Sequence, residues 1–196
     1  MKSGTIITIV VVALLALVGF MGCNGYNGLV QQDEVVKKAW NNVQAEYQNR
    51  ADLVPNLVNT VKGAANFEQE TLTKVIEARS RATAIQLNAD QLTPENLAKF
   101  QQAQTELSGA LSRLLVTIER YPDLKAVQGF QDLQRQLEGI ENNIKNSRKT
   151  FNEAVNGYNV KVRSFPMNLL AGMFGFAAKE GFQAEPGSDK APEVKF

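Results

Sequence analysis

The sequence predicts an all-α protein, with an N-terminal membrane helix followed by an elongated antiparallel four-helix bundle. Three observations carry that prediction. Residues 5–23 form an uncharged run. Beyond it, apolar residues recur at steps of three and four through four long stretches, the spacing of amphipathic helices. No stretch alternates apolar and polar residues as a half-buried strand would. Short connections make neighbouring helices antiparallel. The resulting plan is an anchor over 1–24, the bundle over 25–165, an apolar C-terminal segment over 166–182 and a flexible tail over 183–196.

The anchor comes first. "TIITIVVVALLALVGFMGC" has only Thr5 and Thr8 as polar interruptions, and with Gly4 this apolar stretch is 20 residues. That is the length needed to cross a hydrocarbon core of roughly 30 Å. Lys2 before the run resembles the basic start of a signal sequence. That start points the N-terminus inward; the charge count, Lys2 against Lys37 and Lys38 well past the run, adds little, and the reading is an extracytoplasmic bundle on a single-pass protein of the cell membrane. Cys23 leaves two readings open. "FMGC" is an imperfect lipobox, with small Gly22 before the cysteine but Phe20 where leucine is usual, so cleavage and acylation at Cys23 would give a lipoprotein. Otherwise the helix stays uncleaved and Cys23 is an inert apolar thiol. Both readings make membrane lipid a partner.

"NGYNG" then reads as a polar hinge. Val36, Trp40, Val43, Tyr47, Ala51, Val54, Val58 and Val61 mark one helix face over 31–62, kinked near Asp52 because Pro55 cannot donate to Ala51. Gly63 ends it. Asn66 and Gln69 form a capping-box-like start for a second helix over 67–87, with Leu72, Val75, Ala78, Ala82 and Ile85 as its buried face. Thr93-Pro94-Glu95 starts the third, as cap, first-turn proline and first-turn acid. Its apolar series runs from Leu97 through Phe100, Leu107 and Leu114 to Tyr121. After the turn "YPDLKAVQG", Phe130, Leu137, Ile144, Phe151, Tyr158 and Val162 mark the fourth helix, stopped by "SFP". The apolar "FPMNLLAGMFGFAA" is too short to span a bilayer, so it either packs on the bundle or lies in the membrane interface.

Chemistry is sparse. There is no histidine, which removes the commonest general base and the commonest metal ligand, and a di-metal bundle site built on Glu-x-x-His cannot form. Glu138 and Glu141 read as a solvated face. Ser80, Ser108, Ser112, Ser147 and Ser164 lack an activating base, and "GAANFEQE" is no phosphate loop. No catalytic, cofactor-binding or metal residues are expected, and no cofactor. A net charge of +1 without a basic aromatic stripe gives no reason to expect nucleic acid. Arg148 sits in the seam between Ile144 and Phe151, and Arg79 edges the second helix's apolar face. Either would need a partner if buried, with Glu34, Glu46 or Glu77 as candidates; ligand binding and a snorkelling surface position stay open.

Several blocks resemble the LemA family of membrane-anchored bacterial proteins: "YNGLVQQDEVVKKAWNNVQAEYQNRADLVPNLVNTVKG", "VIEARSRA", "ERYPDLKA", "FNEAVNGYN" and "FPMNLLAGMFGF". Phe151 stands where members often have tyrosine, and Ala65 where an aromatic is common. The resemblance implies one N-terminal membrane segment and a helical bundle, and brings no catalytic residues. The expected role is that of a non-enzymatic scaffold, adaptor or self-assembling structural protein with a protein partner or a second copy of itself. The alternative is a membrane-sensing or lipid-binding module using Met167, Leu169, Leu170, Met173, Phe174 and Phe176.

Overall fold

A computed structural model of the chain describes residues 3–63 and 67–183, leaving aside the side chains of residues 3, 5–7, 10, 14, 15, 17, 18 and 21. Regular structure is helical throughout, and no strand occurs among the described residues. Asn66, expected to cap the second helix, and nearly all of the expected flexible tail lie outside the described residues.

Helix α1 runs unbroken over Ser3–Lys62, 60 residues. The hinge expected at "NGYNG" is therefore helical, and the helix does not begin near residue 31. The glycines there serve close approach instead. A Cβ on Gly25 would lie 2.1 Å from Met167 Cε, and one on Gly28 would lie 2.4 Å from Lys161 Nζ. Among the described residues no helix is long and apolar enough to cross a membrane. Of the span expected over 5–23, nine of 19 side chains lie outside the described ones.

The seam of α1 follows a stricter register than the one expected. Leu29, Asp33, Val36, Trp40, Val43, Tyr47, Arg50, Val54, Leu57 and Val61 alternate steps of four and three, and all are buried except the half-buried Asp33. Two charges of opposite sign thus occupy seam positions.

Pro55 lies inside α1 without ending it. Its missing N–H leaves the carbonyl of Ala51 without its helical donor. Ala51 is buried, so water cannot supply one. Arg79 does: its Nε donates to Ala51 O at 2.7 Å. The helix passes the proline because a cation from another helix takes over the lost bond.

Helix α2 spans Gln69–Ala84, shorter at both ends than the expected 67–87, and buries Leu72, Val75, Ala78 and Ala82. Ile85 is its extended C-cap rather than part of its buried face. A single 3-10 turn, Ala89–Gln91, closes with a capping box between Asn88 and Gln91. Helix α3, Pro94–Ile118, starts as its sequence predicts, with Thr93 Oγ1 accepting from Asn96 N at 3.2 Å. The segment after it holds a one-turn helix, α4, Pro122–Lys125, with Tyr121 as its N-cap. Helix α5, Gln128–Arg163, is 36 residues long and ends before "SFP" as expected, and a further turn, α6, spans Met167–Leu170.

The chain groups into two compact units. One comprises residues 1–46 and 144–179; its core includes Leu29, Val36, Trp40, Val43, Phe151, Val155 and Tyr158, with the Trp40 and Phe151 rings 5.4 Å apart. The other comprises residues 47–143 and 180–196, and one hydrophobic cluster there draws on α1 through α5, including Leu57, Val75, Leu114, Leu124 and Leu137. Burying such side chains is worth about 1.5–3 kcal/mol each.

Candidate functional site

Two polar constellations stand out, one in each unit. In the unit of residues 47–143, the enclosed guanidinium belongs to Arg50, which is 1% exposed. Its Nη1 donates to Ser108 Oγ at 2.5 Å and to Glu141 Oε1 at 2.9 Å. Its Nη2 donates to the Gln104 backbone oxygen at 3.1 Å and to Gln104 Oε1 at 2.7 Å. Gln104 is held in turn, its Nε2 donating to Ala82 O at 3.2 Å. The Tyr47 ring lies beneath the guanidinium, 5.1 Å from Cζ, and Nε is buried without a partner. Three helices thus meet on one cation. A guanidinium is a hydrogen-bond donor in a fixed planar fork, so Arg50 orients and pairs the groups around it.

The sequence pointed to other arginines. Arg148 is half-buried rather than enclosed, and Arg79 serves the Ala51 carbonyl rather than a carboxylate. The partner of the enclosed cation, Arg50, is Glu141. Glu141 belongs to the face expected to be solvated, and at 41% side-chain exposure it keeps part of its hydration while reaching Arg50. The missed signal was the strict four-three register of α1, on which Arg50 falls.

In the other unit, the C-terminal segment folds back as a hook. Gly175, at φ 80°, makes the left-handed turn that lets Phe176 N donate to Ala171 O at 2.9 Å. Tyr158 Oη donates to Ala177 O at 2.9 Å. Asn159 and Lys179 exchange two bonds, each 2.8 Å: Asn159 Nδ2 donates to Lys179 O, and Lys179 N donates to Asn159 Oδ1. Lys179 Nζ pairs with Asp33 at 3.0 Å, and Lys37 Nζ reaches the same carboxylate at 3.1 Å. Burial opposes ionisation of Asp33, but the hydrogen bonds and charges of Lys179 and Lys37 outweigh it and hold its carboxyl below the usual range. Burial, with Asp33's charge adding, raises the Tyr158 phenol.

The six residues expected to form an apolar interface divide. Met167 is buried, Leu170 and Phe176 are half-buried, and Leu169, Met173 and Phe174 are exposed. The Tyr26 ring meets Phe174 and Phe176 edge-on, at 5.3 Å and 5.7 Å between centroids. Cys23, the candidate lipidation site, is an exposed free thiol.

Among the described residues no group of three or more His, Cys, Asp or Glu side chains is placed to hold a metal. An open groove of about 940 Å³ between α2 and α3 carries Lys74 and Arg81, which are paired with Glu70 and Glu106.

Known proteins resemble this chain over much of its length. The family model described as LemA family matches residues 39–196. Magnetosome protein MamQ 2 of Paramagnetospirillum magneticum is 34% identical over 80 residues, 41% of this chain and 29% of that protein. Protein LemA of Metamycoplasma hominis is 25% identical over 143 residues, 73% of this chain and 62% of that protein. The chain therefore spans less than a third of the magnetosome relative and under two thirds of the mycoplasma one.

Proposed function

Because the chain belongs to the LemA family, we propose that it is a membrane-tethered, non-enzymatic scaffold or adaptor whose helical body works by its surfaces. In this reading residues 5–23 hold the chain in the cell membrane as a single-pass anchor, or Cys23 holds it as a lipoprotein. The remaining amphipathic helices form an antiparallel four-helix bundle on the extracytoplasmic side.

The observation that carries the reading is α1. It is one helix from Ser3 to Lys62, so the uncharged run and the buried seam of the body share one unbroken rod. The hydrophobic cluster drawing Leu57, Val75, Leu114 and Leu137 from α1, α2, α3 and α5 supports a bundle. The polar clusters support a non-enzymatic role, since their central groups are arginine and lysine already engaged by carboxylates.

Crosslinking mass spectrometry on intact membranes tests this. Discrete crosslinked species, with a partner protein or a second copy, are expected. A chain that stays monomeric and partnerless after gentle extraction overturns the scaffold reading, and turnover of a substrate by the purified protein overturns the non-enzymatic one. Fatty-acid analogue labelling of the wild type against Cys23→Ser decides between the two anchors.

A further inference from the structure

We propose that Phe165, Leu169 and Met173 form a lipid-contact face, seated in the headgroup layer of the membrane that holds residues 5–23; the proposal rests on the tethered reading. These three side chains are 81%, 65% and 80% exposed, although each is large and apolar. They stand four residues apart, while Met167 and Ala171 between them turn inward and are buried. The segment therefore has a packed side and an unpacked apolar side.

Its position in the fold says what covers the unpacked side. Met167 packs on Gly25, and Phe174 and Phe176 pack on Tyr26. Gly25 and Tyr26 lie two and three residues beyond Cys23, the last residue of the apolar stretch read as the anchor. At 1.5 Å per residue that is about 3–5 Å along the helix. The headgroup layer is roughly 5–7 Å deep on each side of the hydrocarbon. Whatever packs on Gly25 and Tyr26 is therefore held at that depth. Tyrosine suits the boundary, with an apolar ring and a polar tip. Lys161, whose amine lies beside Gly28, and exposed Arg163 supply cations for lipid phosphates.

The hook is also fixed before any lipid is met. The bonds from Tyr158 and Asn159 and the Lys179–Asp33 pair hold its far end, so little ordering is left for the moment of contact. Three side chains are too few for a stable protein interface, which covers about 800 Å² per partner. A lipid surface needs no complementary patch.

The test uses the full chain in vesicles of equal parts phosphatidylcholine and phosphatidylglycerol, doped with a phosphatidylcholine whose acyl diazirine sits close to the ester. Flotation is read first, and lipid adducts are then mapped by mass spectrometry. Adducts are expected on the peptide carrying residues 165–174 and not on α2 or α3. The double variant Leu169→Asp/Met173→Asp, checked by circular dichroism for unchanged helicity, should still float but lose those adducts. If the chain floats and adducts are confined to residues 5–23, the lipid face is wrong and the tether stands. If instead residues 165–174 crosslink between two copies, the face is a self-association surface and the proposal is overturned. A chain that does not float refutes the tether, and the lipid face with it.

Discussion

Arg79 is predicted to be worth far more with Pro55 present than without it. Its Nε supplies the bond that Pro55 denies to the buried carbonyl of Ala51. Removing the guanidinium leaves that oxygen unsatisfied, a cost of roughly 1–3 kcal/mol, and the charged donor places the loss near the middle of the range. Arg79→Ala should therefore destabilise by about 2 kcal/mol. With a urea dependence of about 2 kcal/mol per molar, the unfolding midpoint falls by about 1 M. In a Pro55→Ala background the restored N–H at position 55 reaches Ala51 O, and the same arginine substitution should cost less than about 1 kcal/mol. The coupling between the two sites, about 1 kcal/mol or more, is the quantity a double-mutant cycle isolates. Far-UV circular dichroism of the detergent-solubilised chain follows unfolding, and hydrogen exchange over 52–56 reads the local effect. Trp40, the single tryptophan, belongs to the other unit and does not report here. Equal losses in the two backgrounds would refute the reasoning.

The other predictions are of the same kind. Arg50→Ala empties a fully buried site and should cost about 3 kcal/mol, at the lower end for breaking a buried pair because Glu141 can rehydrate. Glu141→Gln should cost under about 1 kcal/mol, and chemical denaturation showing equal losses for the two would count against the cluster as described. Asp33 is ionised more readily folded than unfolded, so its pair with Lys179 adds stability above the ordinary carboxylate range and loses it as pH falls through the lowered folded value. Hydrogen exchange over 167–179 should quicken in that acid window, and Asp33→Asn should remove the pH dependence; a variant that keeps it points to another group. Thr93→Ala removes the bond to Asn96 N and should cost about 1 kcal/mol, seen as a lower thermal midpoint and faster exchange at the start of α3. An unchanged midpoint would mean the cap contributes nothing.

Helices were legible where local rules set them. Thr93-Pro94-Glu95 starts α3, and "SFP" stops α5, because caps and prolines act within one turn. The failures came from contacts distant in sequence. "NGYNG" has the composition of a hinge, and only Met167 and Lys161 reveal that its glycines make room. Pro55 marks the Ala51 carbonyl as short of a donor, but that the donor is Arg79, 24 residues further along the chain, is not legible locally. Arg50 is hard to single out because a step from Tyr47 to Ala51 and a step from Tyr47 to Arg50 both satisfy helical spacing, and an apolar residue looks like the better seam candidate. The C-terminal segment reads as uniformly apolar, and its division into a packed and an open side depends on distant contacts such as Met167 with Gly25 and Phe176 with Tyr26.

The two charges on the seam of α1 bear on how its alignment is chosen. A purely oily zipper tolerates sliding, since one heptad up or down brings similar aliphatic residues together. Asp33 meets Lys179, and Arg50 meets Glu141. Shift α1 by seven residues and both ions lose their counterparts at once, while the valines and leucines would barely register the change. The helix is thus keyed at two points with different locks, and misaligned forms are penalised through electrostatics as well as through the displaced rings of Trp40 and Tyr47.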